Sequence, residues 1–167
     1  KVYNGNLLYH GCVPLKEDGN LKSVRIFGRA YKGKGLYEVL ESYVRKGFYA
    51  MDPKEKERGK DIMWYIWLSE NSPLFGKDKM ATFERYFLAE KETHKEKKNP
   101  YYLLLEDEKV VEKILKEFGL ENEDAHIING HVPVKCKDGE NPVKCGGKVL
   151  VIDGGFSKAY QKETGIA

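Results

Sequence analysis

A chain of 167 residues that is 41% hydrophobic suits one domain with a real core, and no apolar run in it reaches the length that spans a bilayer. Its 29 basic residues nearly cancel 26 acidic ones, and a net charge of +3 is not the footprint of a general nucleic-acid binder. Three cysteines, none in C-x2-C spacing, argue against a zinc ribbon or a secreted disulfide scaffold and for reduced thiols in a cytoplasm. No signal or transit pattern is visible. The chain starts at Lys1 without Met and stops at Ala167 after a glycine-rich turn, so we expect a piece of a larger protein.

Asn6 to Tyr9 reads as a strand leading into His10. Lys16 to Asn20 is a polar turn, Ser23 to Phe27 a strand or extended segment, and Gly28 to Gly35 a basic loop. A helix is expected from about Gly35, because Leu36, Val39, Leu40, Tyr43, Val44 and Gly47 fall at helical spacing. Asp52-Pro53 starts a second helix, with Asp as N-cap and Pro at the first helical position. That helix turns apolar at Ile62, Met63, Trp64, Ile66, Trp67 and Leu68 and ends before Asn71; its two tryptophans read as core. Thr82 to Lys91 fits a short helix, Glu92 to Lys98 a charged link, and Tyr101 to Leu105 a strand or helix entry. Glu106 to Phe118 is a helix whose shared face is Val110, Val111, Ile114, Leu115 and Phe118, stopped by Gly119. A short strand through Ile127 and Ile128 ends at Asn129-Gly130-His131. After a polar turn at Lys137 to Pro142, Lys148 to Ile152 is the last strand, ending at Asp153-Gly154-Gly155. Strands separated by helices predict an α/β chain.

Two histidines stand at strand tips in matched settings. Leu7-Leu8-Tyr9 leads to His10-Gly11-Cys12-Val13-Pro14, and Ile127-Ile128-Asn129-Gly130 leads to His131-Val132-Pro133. Loops at the carboxyl ends of strands are where α/β proteins place their chemistry. A pair of imidazoles there makes half of a transition-metal site, since imidazole suits Mn, Fe and Zn. Taken singly, each histidine would as readily cap its strand by hydrogen bonding to backbone. His126 precedes the apolar pair and reads as structural. Gly76-Lys77-Asp78-Lys79, followed by Arg85, Lys91, His94 and Lys95, reads as a basic stretch for an anionic group, against the plainer reading of a solvated face. The spacing is not that of a P-loop. No Ser-His-Asp or Cys-His nucleophile is suggested, so no catalytic residue is assigned.

Several runs carry a resemblance. Leu7 to Pro14, Asn71 to Phe87, Lys91 to Tyr102, His126 to Val134 and Val151 to Gln161 resemble the firmicute-type (class III) fructose-1,6-bisphosphatases, over nearly the whole chain. That family is similar in its core to the calcineurin-like metallophosphoesterases. The resemblance implies an α+β sandwich: a double β-sheet core flanked by helices. Residues 1–167 would be part of that catalytic domain, with about 28–105 as a helical and loop insertion between the two His-bearing strands. It implies a binuclear Mn2+ centre. His10 matches the superfamily's lone His and His131 its late Gly-His, so both would bind one metal. No G-D-x-x-D and no G-N-H is found in this chain; these motifs, and the superfamily's opening D-x-H with them, would lie in a missing amino-terminal part, so the isolated chain would be inactive. The implied reaction is metal-assisted hydrolysis of the 1-phosphate of fructose 1,6-bisphosphate, a step of gluconeogenesis in the cytoplasm. The second phosphate of that sugar bisphosphate gives Lys77, Lys79, Arg85, Lys91, His94 and Lys95 something to bind.

Two other readings stay open at this point. One is a phosphate- or nucleotide-binding regulatory module without catalysis. The other is a metallophosphatase of different specificity. No nucleic-acid or membrane partner is expected, and a homo-oligomer is left open.

Overall fold

The computed structural model describes residues 1–152. In chain order the elements are β1 (Val2–Tyr3), β2 (Asn6–Leu8), β3 (Val24–Ile26), β4 (Arg29–Tyr31), α1 (Gly33–Tyr49), α2 (Pro53–Leu68), α3 (Thr82–Phe87), α4 (Glu108–Glu117), β5 (Ile127–Asn129), β6 (Val143–Lys144) and β7 (Val149–Val151), with short 3-10 turns between some of them. The described residues form a mixed α/β structure with a five-stranded sheet, a two-stranded sheet and four α-helices, in keeping with the α+β class expected. It divides into two units, one of residues 1–13 and 102 onward, the other of residues 14–101. Among the described residues no helix is long and apolar enough to cross a membrane.

The first unit is built on the five-stranded sheet, in the order β1-β2-β5-β7-β6. β2 pairs with β5 and β5 with β7 in parallel, and the two edge strands run antiparallel. Leu7 faces Ile127, which faces Val149, and all three are fully buried. Three central apolar residues in one row fix the register, because a slip of one residue would turn each to the other face. α4 starts where Asp107 accepts hydrogen bonds from the Lys109 and Val110 N–H groups. It buries Val110, Val111, Ile114 and Leu115, and it stops at Gly119, whose φ of +81° glycine adopts without steric cost. The two-residue strands β1 and β6 carry too little pattern to be read from sequence.

The second unit joins a β-hairpin to a pair of helices. β3 and β4 pair through a turn at Phe27 and Gly28, both with positive φ, as a two-residue hairpin turn requires. The basic loop expected at Gly28 to Gly35 is therefore half strand, and α1 begins at Gly33. The core is Val24, Ile26, Leu36, Leu40 and Ile62, with Tyr43, Val44 and Ile66 packed on it. α2 is capped as expected, the Asp52 carboxylate accepting the Glu55 N–H at 3.0 Å. α1 and α2 meet at two glycines, and a Cβ on Gly47 would lie 2.5 Å from the Gly59 Cα. Trp64 and Trp67 are not core: they are 68% and 65% exposed. α2 turns Gly59, Ile62 and Ile66 inward, and at helical spacing the tryptophans fall on another face. α3 ends at Phe87, short of the expected Lys91, and Lys91–His94 forms a 3-10 turn. Tyr101, read as a strand or helix entry, is fully buried in a 3-10 turn. Just before it, the buried Asn99 uses one oxygen, Oδ1, to accept both the Leu15 N–H at 3.1 Å and the Tyr101 N–H at 3.0 Å.

Candidate metal site

Parallel pairing decides what the sheet presents. Because β2 and β5 run the same way with Leu8 opposite Ile128, both strands leave the sheet at one edge. The segments that follow are tied by three bonds. The Gly130 N–H donates to the His10 carbonyl at 2.9 Å, the Tyr9 N–H to the Ile128 carbonyl at 3.2 Å, and the Asn129 side-chain amide to the Gly11 carbonyl at 3.1 Å.

These ties bring the two strand-tip histidines together. His10 Nε2 lies 3.0 Å from His131 Nδ1, with the ring centroids 4.9 Å apart and the planes at 67°. His10 is exposed and His131 half-buried, so the pair opens to solvent on one side. His131 has a φ of +70°. For a residue with a side chain that conformation costs about 1–3 kcal/mol, and such strain collects at sites where the geometry matters.

Two imidazole nitrogens about 3 Å apart fit two neighbouring ligands of one octahedral ion, where metal–nitrogen bonds of about 2.1 Å meet at a right angle. The same nitrogens share a hydrogen bond when one of them carries a proton. No group of three or more His, Cys, Asp or Glu side chains converges on a metal position among the described residues. The pair therefore supplies two ligands, and a closed site needs others. Asn129, 2% exposed, has a side-chain oxygen with no hydrogen-bond partner among the described residues, beside the pair that its amide helps to hold.

Cys12 is two residues from His10 but is fully buried, whereas His10 is exposed. Burial pushes its thiol up to about 12, only partly offset by a hydrogen bond with Tyr102. It stays a neutral thiol near pH 7, and the thiolate is the form that attacks or ligates. His126 hydrogen-bonds the Asn6 side chain at 3.1 Å through Nδ1, a structural tie between β2 and the start of β5.

The basic residues named from sequence lie in the other unit, where acids and carbonyls of their own segment meet most of them. Lys77 pairs with Glu96 at 3.0 Å, and Arg85 reaches the same carboxylate at 3.6 Å. Burial would raise the Glu96 carboxyl. The Ala81 N–H and the Lys77 and Arg85 cations outweigh it and hold the group below its usual range. Lys79 donates to the Thr93 carbonyl at 2.5 Å, His94 to the Leu88 carbonyl at 3.0 Å, and Lys95 pairs with Glu92 at 2.7 Å. Lys91 is exposed. The sequence reading found these cations but missed the carboxylate that gathers two of them, and it missed Asn129 and Asn99. Its final expected motif, Val151 to Gln161, lies outside the described residues beyond Ile152.

The family model described as Firmicute fructose-1,6-bisphosphatase matches residues 1–167. A class 3 fructose-1,6-bisphosphatase of Clostridioides difficile (strain 630) is 61% identical over 165 residues, 98% of this chain and 25% of that relative. One of Clostridium botulinum (strain Hall) is 59% identical over 166 residues, 99% of this chain and again 25% of the relative. The chain thus spans about a quarter of the length of the curated relatives it matches. No solved structure matches.

Proposed function

The chain belongs to the Firmicute fructose-1,6-bisphosphatase family, and from that premise we propose that it forms part of a metal-dependent phosphatase releasing the 1-phosphate of fructose 1,6-bisphosphate. The observation that carries the metal half of this reading is the 3.0 Å approach of His10 Nε2 to His131 Nδ1 at the tips of two parallel strands. His10 and His131 would hold a divalent cation, Mn2+ by preference, through those nitrogens. When bound, such an ion lowers the pKa of a water molecule and polarises a phosphoryl oxygen. The chain's own work is to hold the two imidazoles as one rigid pair. Gly130 and Asn129 lock the backbone beneath them. The remaining ligands would come from parts of the relatives that this chain does not cover. Neither Cys12 nor Cys145 forms a disulfide, which suits the cytoplasm where we place the protein.

The test is phosphate release from fructose 1,6-bisphosphate by the full-length protein, stripped of metal and then given Mn2+. We expect activity to vanish on stripping and to return with the ion. Tight binding of the bisphosphate with no turnover under any divalent ion would make the protein a binding module and end the phosphatase reading.

Asn129 gives a sharper check on the pair. In Asn129→Ala the lost bond to Gly11 is partly offset by removal of an oxygen that had no partner, so stability should change by about 1 kcal/mol or less. Metal affinity should still fall about 10- to 100-fold, as it does when the supports of ligating histidines are removed. A Mn2+ titration of activity reads this directly; unchanged affinity would show that Asn129 does not position the histidines.

A further inference from the structure

Residues 14–101 contain a cleft of about 240 Å³ that the histidine pair does not use. Five lysines line it: Lys16, Lys22, Lys77, Lys97 and Lys98. Three carboxylates line it as well, Glu17, Glu70 and Asp78, so the walls carry an excess of two positive charges. The acids are largely engaged. Asp78 accepts the Lys97 backbone N–H at 2.7 Å, Glu17 lies 3.9 Å from the Lys97 ammonium, and Glu70 accepts the Asn71 amide at 3.3 Å. Lys77 is held by Glu96. Lys16, Lys22 and Lys98 have no carboxylate within ion-pair distance among the described residues.

The backbone gathers these charges rather than letting them spread. A bridge between Leu15 and Leu21 closes the turn, so that Lys16 and Lys22 flank it. A second bridge sets Lys77 opposite Lys98. Like charges directly opposite one another destabilise an antiparallel pair. The floor of the cleft adds a neutral donor. Asn99 is 6% exposed and lines the cleft, and its oxygen is taken by two backbone N–H groups, which leaves its NH2 as the end of the side chain that can face a ligand.

We propose that this cleft binds the phosphate monoester of a small molecule. Its unpaired cations and the Asn99 amide are donors, and a phosphate monoester brings acceptor oxygens and about −1.5 to −2 of charge, which matches the net excess on the walls. The phosphate is that of the sugar bisphosphate, an identity that rests on the phosphatase reading, or that of another small phosphorylated ligand.

The experiment is lysine acylation footprinting of the full-length protein, with labelling read by mass spectrometry and ionic strength held constant with chloride. Inorganic phosphate should protect Lys16, Lys22 and Lys98 saturably, while Lys46 and Lys54, away from the cleft, label as before. Lys22→Ala removes a half-buried cation from the wall and should weaken the protection of Lys98 about tenfold. Uniform labelling with and without phosphate overturns the proposal, and so does full protection of Lys98 in Lys22→Ala with its fold intact by circular dichroism. With the metal chelated, protection by fructose 1,6-bisphosphate at lower concentration than by glycerol 3-phosphate assigns the cleft to the substrate. Equal or better protection by glycerol 3-phosphate assigns it to a separate phosphorylated ligand. Neither arm needs turnover, so a protein with no phosphatase activity would leave this result standing.

Discussion

Gly59→Ala should loosen the α1–α2 pair by about 2 kcal/mol or more, although alanine is the better helix former. In an open helix the change gains about 1 kcal/mol. Here the new Cβ would sit 2.6 Å from the Gly47 Cα, 3.2 Å from the Tyr43 carbonyl oxygen and 3.3 Å from the Gly47 nitrogen. All three are backbone atoms, so no side chain can swing aside, and the helices must part. Parting them uncovers Leu40 and Ile62, which the pair keeps buried. Gly35→Ala is the matched control. It lies in the first turns of α1 with nothing within 4 Å of the new methyl, and it should stabilise by about 0.5–1 kcal/mol. Hydrogen exchange of α1 and α2 peptides in the full-length protein reads both changes. Two shifts of the same sign would disprove the close glycine contact.

His131→Asn should keep the fold and lower phosphate release by the full-length protein about a hundredfold or more at limiting Mn2+. Asparagine tolerates the positive φ that His131 adopts, so loss of activity would report the imidazole and not the backbone. His10→Asn should cost about as much, and the double variant little more than either single one, because two ligands of one ion act as a unit. Excess Mn2+ should recover part of the activity of each single variant. Losses that multiply in the double variant would mean that the two histidines serve separate tasks.

Much of this site was legible before the coordinates, and the reasons are local. A strand, a histidine and a glycine beside it can be read from Leu8 to Gly11 and from Ile128 to His131. Asp52-Pro53 and Gly119 marked helix ends because capping is short-range chemistry. What stayed hidden depended on partners far along the chain. Nothing near Leu7 says that it will pair in parallel with Ile127, and that pairing is what turns two similar segments into one site. Asn129 reads only as the end of a strand, and nothing near it says that it will be buried and bonded to Gly11. Lys77 and Arg85 read as an anion site, and nothing near them says that Glu96 will pair with both. Trp64 and Trp67 failed for another reason: apolar composition was taken for burial, although their spacing already set them off the face of Ile62 and Ile66.

Asn99 also bears on how the sheet is assembled. The β2–β5 pairing joins residues some 120 positions apart, as the bond between Asn6 and His126 shows. Closing a flexible loop of that length costs about 2 kcal/mol more than closing one of ten residues, and it slows folding. Asn99 staples Leu15 to Tyr101, so the chain enters and leaves residues 14–101 at neighbouring points. Once that unit has folded, its 88 residues cost the sheet little more loop entropy than a short linker would. A folded insertion would therefore let β5 pair with β2, and His131 meet His10, at little more cost than across a short linker.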